Sequence, residues 1–185
     1  MKVLLIGSGG REHAMAWKLA QSPLTTELII APGNAGTADL GHNINIGVDD
    51  HADLVRYAVD NNIDLVVVAP DQPIVDGLCD LLDQAGIKAF GPSAAAARIE
   101  GSKIWSDDLM TKYGIPTAES IAFSDSGLAI EYGRSRPEGL LVVKADGLAA
   151  GKGVILPDTY DDLDTAIIGM LDDEAFGESS SSILL

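Results

Sequence analysis

The chain has 185 residues, 46% of them apolar, which is enough for one domain with a packed core or for one domain plus part of another. With 12 basic and 28 acidic residues, its net charge of −16 argues against nucleic acid and anionic membrane surfaces as partners, because both bind clustered Lys and Arg. The one cysteine, Cys79, leaves no disulfide framework and suits a reducing cytoplasm.

Roughly the first hundred residues alternate between short apolar runs and amphipathic segments, which predicts an open, mainly parallel α/β sheet. We predict strands at residues 3–6, 27–31, 44–48, 64–69 and 87–90. We predict helices at residues 11–21, 52–61 and 74–84. Ala14, Trp17 and Leu19 of the first helix are expected to face the core. The first apolar run is too short for a signal peptide or a membrane span.

The pattern changes after residue 92. Two helices are predicted at 93–100 and 102–113, with Gly101 between them. From about residue 117 we predict a new unit, with strands at 120–123, 140–144 and 154–156 and helices at 128–133 and 161–171. The domains are therefore predicted at 1–101 and 102–185. Because the chain ends on an apolar run without a cap, we expect the natural sequence to continue.

The glycine turn between the first strand and the first helix is a candidate phosphate site. Backbone N–H groups at a helix N-terminus bind anions, and Arg11 adds a guanidinium fork. A dinucleotide site is one alternative, but its fingerprint has glycine where this chain has Glu12. In addition, no acidic residue follows the second strand to hold a ribose. A tight turn without a ligand is the other alternative.

The loop after the second strand, at residues 31–37, is rich in small residues. In a parallel sheet it emerges at the same edge as the first glycine turn, where ligands of such sheets bind. Its small residues expose backbone groups, while Asn34 and Thr37 offer polar contacts. Two such loops at one edge favour a binding site more than either does alone.

A second glycine-rich segment covers residues 144–153. It is not a Walker A loop, because three residues rather than four separate Gly147 from Gly151, and Gly153 rather than Ser or Thr follows Lys152. Its flanks predict strands, so we expect a flexible loop between two strands that can close over a polyphosphate. Lys144 ends an apolar strand, where its charge needs either an anionic partner or a path to water.

The remaining candidates carry little chemistry on their own. Lys103, at the start of a predicted helix, is by itself an ordinary surface lysine. The three histidines, His13, His42 and His51, have no spacing that indicates a metal site or a catalytic triad.

Together, six stretches resemble the phosphoribosylamine–glycine ligases, a family of ATP-grasp ligases. They are GSGGREHA at 7–14, APGNAGT at 31–37, FGPS at 90–93, EGSK at 100–103, GIPTA at 114–118 and VVKADGLAAGKGV at 142–154. The resemblance covers essentially the whole chain in the family's order. It implies a pre-ATP-grasp domain followed by the first part of an ATP-grasp domain.

The resemblance also implies an activity. Members of the family use ATP and a divalent metal, Mg²⁺ or Mn²⁺, to activate the glycine carboxylate as an acyl phosphate. The amine of phosphoribosylamine then attacks this acyl phosphate, a cytoplasmic step of purine synthesis. The partners expected from the resemblance are therefore the small molecules phosphoribosylamine, glycine and ATP.

Site residues follow from the matched motifs. The resemblance assigns to the phosphoribosyl substrate Gly9, Gly10, Arg11, Glu12, Asn34, Gly36 and Thr37. It assigns to ATP Lys103, Lys144, Gly147, Gly151, Lys152 and Gly153. No catalytic residue and no metal ligand is assigned within this chain.

The chain departs from the family pattern in two places. Asp71 and Gln72 stand where the family usually has glutamate and alanine, so substrate contacts there are open. The family's adenosine clamp, metal carboxylates and glycine site have no counterpart here, so we expect residues 1–185 alone to be inactive. The alternative functions are a non-catalytic nucleotide- or phosphate-binding module and, with less support, a nicotinamide-dependent oxidoreductase.

Overall fold

The computed structural model describes residues 1–136 and 140–185. The chain divides into two compact units, Met1–Ala97 and Arg98–Leu185. Among the described residues, no helix is both long enough and apolar enough to cross a membrane.

The first unit is built on a parallel sheet of five strands in the order β3-β2-β1-β4-β5. Its strands are β1 (Lys2–Gly7), β2 (Glu27–Pro32), β3 (His42–Asn43), β4 (Leu65–Val68) and β5 (Ala89–Phe90). Each neighbouring pair is parallel. This is the predicted fold class, an open parallel α/β sheet.

Both faces of this sheet are buried, which explains why its central strands are continuous apolar runs. In β1, Leu4 and Ile6 belong to the core cluster on one face, while Val3 and Leu5 belong to the cluster on the other face. Helices cover the two faces. They are α1 (Gly10–Ala20), α2 (His51–Asp60), α3 (Asp71–Val75) and α4 (Leu78–Gln84). A further helix, α5 (Ala94–Gly101), contains the sequence boundary between the two units.

Two of the predicted elements in this unit are wrong. The helix predicted at 74–84 is divided into α3 and α4, because Gly77 adopts a left-handed conformation with φ of 90°. The strand predicted at 44–48 lies earlier, at His42–Asn43. Residues 44–48 still contribute to the core, because Ile44, Ile46 and Val48 pack against it although they lie outside the assigned strand.

The predicted core face of α1 is also partly wrong. Ala14 is exposed, and Trp17 is 57% exposed. The face that packs on the sheet instead carries Glu12 and Ala16, which are buried, and Leu19, which is half-buried. This spacing of four and three residues is that of one helix face. The charged Glu12 concealed the face in the sequence.

The second unit contains an antiparallel sheet of four strands in the order β6-β9-β7-β8. Its strands are β6 (Ala122–Phe123), β7 (Val143–Ala145), β8 (Val154–Ile155) and β9 (Ile183–Leu184). Its helices are α6 (Lys103–Tyr113), α7 (Ser126–Ser135) and α8 (Tyr160–Leu171). The last strand is central, because β9 pairs with both β6 and β7.

The core of the second unit lies between this sheet and α7 and α8. Val143 and Ala145 of β7 are buried in it, together with Leu163 and Ile167 of α8. Because side chains alternate along a strand, Lys144 is on the opposite face of the sheet from this core. The fold thus places the lysine where it can meet something other than the apolar interior.

Candidate functional site

The loop after β1 is shaped by a buried carboxylate. Gly9 caps α1, and its N–H donates to Oε2 of Glu12 at 2.6 Å, while the N–H of His13 donates to the Gly9 carbonyl at 3.0 Å. Glu12 is only 5% exposed. Gly7 has φ of 128°, and a Cβ there would overlap the Glu12 side chain. Glu12 therefore fills the space beneath the turn, and a glycine at its position would leave that space empty.

The loop after β2 is closed by Asn34. Its Oδ1 accepts hydrogen bonds from the N–H groups of Gly36 at 2.8 Å and Thr37 at 3.0 Å. Its Nδ2 donates to the carbonyl of Ser8 at 2.8 Å. One side chain thus closes its own loop and ties it to the loop after β1, so the two predicted loops do meet at one edge of the sheet.

Thr37 and Asn43 complete this network. The Thr37 hydroxyl oxygen lies 2.9 Å from Oδ1 of Asn43 and 2.9 Å from the Asn34 carbonyl oxygen, so its one proton has two acceptors within reach, and Thr37 is fully buried. Asn43 Nδ2 donates to the same carbonyl at 2.7 Å. The polar atoms of Asn34 and Thr37 thus have protein partners. This geometry favours an indirect role in ligand binding, in which the two residues maintain the shape of the loop.

His13 lies against this second loop. A Cβ added at Gly36 would overlap the His13 imidazole, so the ring rests directly on the Gly36 backbone. His13 is itself exposed. Our sequence reasoning considered the histidines only as metal ligands or triad members and missed this contact. The signal was available, since His13 lies one helical turn beyond the glycine turn.

A third loop joins the same edge through Arg11. Its Nη2 lies 3.3 Å from Oδ2 of Asp71, the first residue of α3. In the strand order β3-β2-β1-β4-β5, β2 and β3 lie on one side of β1, and β4 and β5 lie on the other. The switch point between β1 and β4 is the position at which open α/β sheets bind ligands. The Arg11–Asp71 ion pair spans that position. Both side chains are largely exposed, so the pair contributes little to stability.

In the second unit, the Lys103 side chain reaches the base of the glycine-rich loop. Its Nζ donates to the carbonyls of Gly147 at 3.0 Å and Asp146 at 3.3 Å. Partial burial lowers the pKa of Lys103, and the Lys144 ammonium lowers it further, whereas Asp146 and Glu100 act in the opposite direction. The two predicted lysines therefore lie near enough to repel each other, as expected of groups that share an anionic ligand.

The loop between β7 and β8 has a fixed base and an open tip. A Cβ at Gly147 would lie 2.7 Å from the Ser179 hydroxyl, and one at Gly153 would lie 2.7 Å from the Ala149 methyl group. Around Gly151, by contrast, a Cβ would meet no atom of the described structure within 4 Å, although φ is 78°. Ala150, Gly151 and Lys152 are exposed. As predicted, this is a loop between two strands and not a P-loop.

No metal-binding group appears among residues 1–136 and 140–185: nowhere in them do three or more His, Cys, Asp or Glu side chains converge on one point. These residues therefore do not fit a metal ion that the nucleotide would carry.

Comparison with known proteins assigns both units. The phosphoribosylglycinamide synthetase N-domain model matches residues 1–100, and the ATP-grasp (A) domain model of the same enzyme matches residues 101–185. The chain belongs to the phosphoribosylglycinamide synthetase family. The predicted resemblance is confirmed.

Individual members of the phosphoribosylglycinamide synthetase family agree with this. The chain is 48% identical to a phosphoribosylamine–glycine ligase of Haemophilus influenzae over 188 aligned positions, covering all of this chain and 43% of that protein. The crystal structure of a phosphoribosylamine–glycine ligase from Thermotoga maritima superposes with a TM-score of 0.79 at 28% identity, again over all of this chain and 43% of that one. The chain thus spans less than half the length of these relatives.

The fold extends beyond the phosphoribosylglycinamide synthetase family. The biotin carboxylase domain of a 2-oxoglutarate carboxylase from Hydrogenobacter thermophilus, solved with MgADP, superposes with a TM-score of 0.72 at 16% identity, covering 99% of this chain and 43% of that one. At that identity the likeness concerns the fold alone.

Proposed function

We propose that this chain supplies the phosphoribosylamine site and part of the ATP site of a ligase that joins glycine to phosphoribosylamine, forming glycinamide ribonucleotide, ADP and phosphate. The observation that carries the proposal is the pairing of Lys103 and Lys144 at the base of a glycine-rich loop, in a chain that belongs to this family.

On the nucleotide side, the lysines supply positive charge and the loop supplies cover. Lys144 is on the sheet face opposite the core, and Lys103 is held by two carbonyls at the loop base. The small, exposed residues at the tip, Ala150 and Gly151, let the backbone approach phosphate oxygens. We propose that Lys152 and Gly153, together with Ala150 and Gly151, form the part of the loop that closes over the polyphosphate. Preorganised charge of this kind stabilises a phosphoryl group in transfer.

On the substrate side, the sugar phosphate is proposed to bind at the edge formed by the loops after β1, β2 and β4. The backbone N–H of Gly10 and the guanidinium of Arg11 are the proposed donors to the anion. Gly9 and Gly36, whose N–H groups donate to Glu12 and Asn34, are proposed to leave room for the ligand because they carry no side chain. Glu12, Asn34 and Thr37 serve as the frame that holds these groups in place.

The cellular setting of the proposal follows from the family and the composition. ATP is a substrate, with Mg²⁺ or Mn²⁺ as its counterion, and a cytoplasmic location fits a biosynthetic ligase with one buried cysteine. A net charge of −16 disfavours nucleic acid as a partner. The nicotinamide alternative loses support, because Glu12 fills the space beneath the turn and β2 ends at Pro32 with no acidic residue.

The nucleotide site can be tested with lysine variants of the complete ligase to which this chain is proposed to belong. We expect Lys144→Ala and Lys103→Ala each to weaken ATP binding about tenfold or more, measured by calorimetry, since each removes a charged contact to phosphate. Lys112→Ala is the matched control, because Lys112 lies at the other end of α6 and contacts the Tyr113 ring instead. Unchanged ATP affinity in both variants would remove the lysines from the site. ATP binding without ligation would favour the non-catalytic module.

A further inference from the structure

Asp146, the first residue after β7, is the centre of a polar cluster. One carboxylate oxygen, Oδ1, accepts from the backbone N–H of Ile104 at 2.8 Å, and both oxygens lie within 3.1 Å of the Ser102 hydroxyl. Ser102 is the N-cap of α6 and also accepts from the N–H of Trp105 at 3.1 Å. A residue of the glycine-rich loop therefore caps the helix that carries Lys103.

The backbone of the same residue holds Lys103 directly. The Asp146 carbonyl accepts from the Lys103 backbone N–H at 3.1 Å and from its Nζ at 3.3 Å. Lys103 is thus held by Asp146 through two of its own groups, and through the capped first turn of α6.

The other side of the loop base is anchored to the segment before β9. The Asp146 N–H donates to the Ser182 carbonyl at 3.0 Å, and the Gly147 N–H donates to the Ser179 carbonyl at 3.0 Å. The Ser179 hydroxyl donates to the Leu148 carbonyl at 2.7 Å. The base at residues 146–148 is therefore fixed on two sides, and the exposed tip at 150–152 is left free of such anchors in the described structure.

We infer that Asp146 is a positioning residue of the nucleotide site, which sets the Lys103 ammonium and the base of the glycine-rich loop in register through the N-terminus of α6. The inference rests on the proposed function. A carboxylate suits this role, because it accepts from the helix N–H and the hydroxyl and also places negative charge at the positive end of the helix.

The negative charge of Asp146 predicts an effect on the pH dependence of ATP binding that a change in folding alone would not produce. The groups facing Lys103 are Asp146, Glu100 on α5 and Lys144 on β7. Asp146 and Glu100 raise the pKa of Lys103, against burial and Lys144. Removing the Asp146 charge therefore lowers that pKa further. Because the protonated lysine binds phosphate, ATP affinity falls as the pH rises through this pKa. In a variant without the Asp146 charge, that fall occurs at a lower pH.

The test compares Asp146→Asn and Asp146→Ala with Asp125→Asn and Asp125→Ala in the complete ligase to which this chain is proposed to belong. Asp125 is the matched control, because it caps α7 in the same unit by accepting from the Leu128 N–H at 2.8 Å. We measure the KM for ATP, the KM for glycine, the pH profile and the unfolding midpoint. Asp146→Asn keeps an oxygen that can accept from the Ile104 N–H, so it can be measured even if Asp146→Ala does not fold.

For both Asp146 variants we expect the KM for ATP to rise about tenfold, with the KM for glycine within about twofold of the unmodified value. The alkaline limb of Asp146→Asn should lie at lower pH, and the Asp125 variants should change only the unfolding midpoint. If Asp146 and Asp125 variants behave alike, the inference is wrong while the proposed function stands. If the unmodified complete ligase shows no ATP-dependent turnover or binding, the proposed function is wrong and the inference is wrong with it.

Discussion

The guanidinium of Arg11 lies 3.3 Å from the carboxylate of Asp71, and this ion pair joins the loop after β1 to the loop after β4. The two loops flank the point where the strand order switches from one side of β1 to the other, which is where open α/β sheets generally bind ligands. Asp71 stands where the family usually has glutamate, and a shorter side chain at this position still reaches Arg11. A phosphate bound at this edge, as proposed above, would compete with Asp71 for the same guanidinium.

This competition gives the first prediction. Arg11→Ala should weaken binding of ribose 5-phosphate about tenfold or more, because a charge-assisted contact to the phosphate is lost. Asp71→Asn should leave the affinity equal or tighter, since it releases the guanidinium from a carboxylate. The measurement is a calorimetric titration, with Arg56→Ala as control, because Arg56 forms a comparable exposed pair with Asp53 on α2. An Arg11→Ala affinity equal to that of the control would remove Arg11 from the site.

The second prediction concerns the base of the glycine-rich loop. Gly147→Ala should lower the free energy of unfolding by about 1–3 kcal/mol, because its Cβ would lie 2.8 Å from the Ser179 Cα, a backbone atom that cannot move away cheaply. Gly169→Ala in α8 is the control, since its Cβ meets no described atom within 4 Å and alanine favours a helix. Denaturant unfolding of both variants decides the point, and equal stabilities would contradict the packing seen at Gly147.

The sequence predicted most of the first sheet, because buried parallel strands are apolar runs that stand out against their surroundings. It did not predict the break at Gly77, since the apolar spacing continues across it and only the left-handed backbone interrupts the helix. It also placed the third strand at 44–48, because core packing of Ile44 and Ile46 produces the same pattern as strand pairing.

The candidate site was predicted at the level of loops but not at the level of side-chain roles. The motifs located both glycine-rich loops, and the strand order explains why the first one meets the loop at 31–37. Which polar side chains turn inward, as Asn34 and Thr37 do, depends on hydrogen bonds that spacing does not encode. Asp146 was likewise passed over, because its partners Ser102 and Ile104 are more than forty positions away.

The third prediction concerns Cys79. Burial raises the pKa of its thiol, and the neighbouring Asp80 carboxylate adds to the rise. The reactive thiolate is therefore scarce at neutral pH, and the folded chain should react with iodoacetamide at least about tenfold more slowly than the unfolded chain. Mass spectrometry in buffer and in denaturant measures this, with one adduct expected after unfolding because the chain has one cysteine. Equal rates would show that the Cys79 environment is open.

The central claim is that this chain supplies substrate-binding and ATP-binding residues of an ATP-dependent ligase. The most direct measurement is ADP formation by the complete ligase to which this chain is proposed to belong, assayed with ATP and Mg²⁺ in the presence of glycine and phosphoribosylamine together and with each omitted in turn, and compared with residues 1–185 alone, which are expected to be inactive. The account predicts sustained ADP formation only when both are present, and its loss in Lys144→Ala but not in Lys112→Ala. ADP formation that is indifferent to glycine and phosphoribosylamine would contradict it.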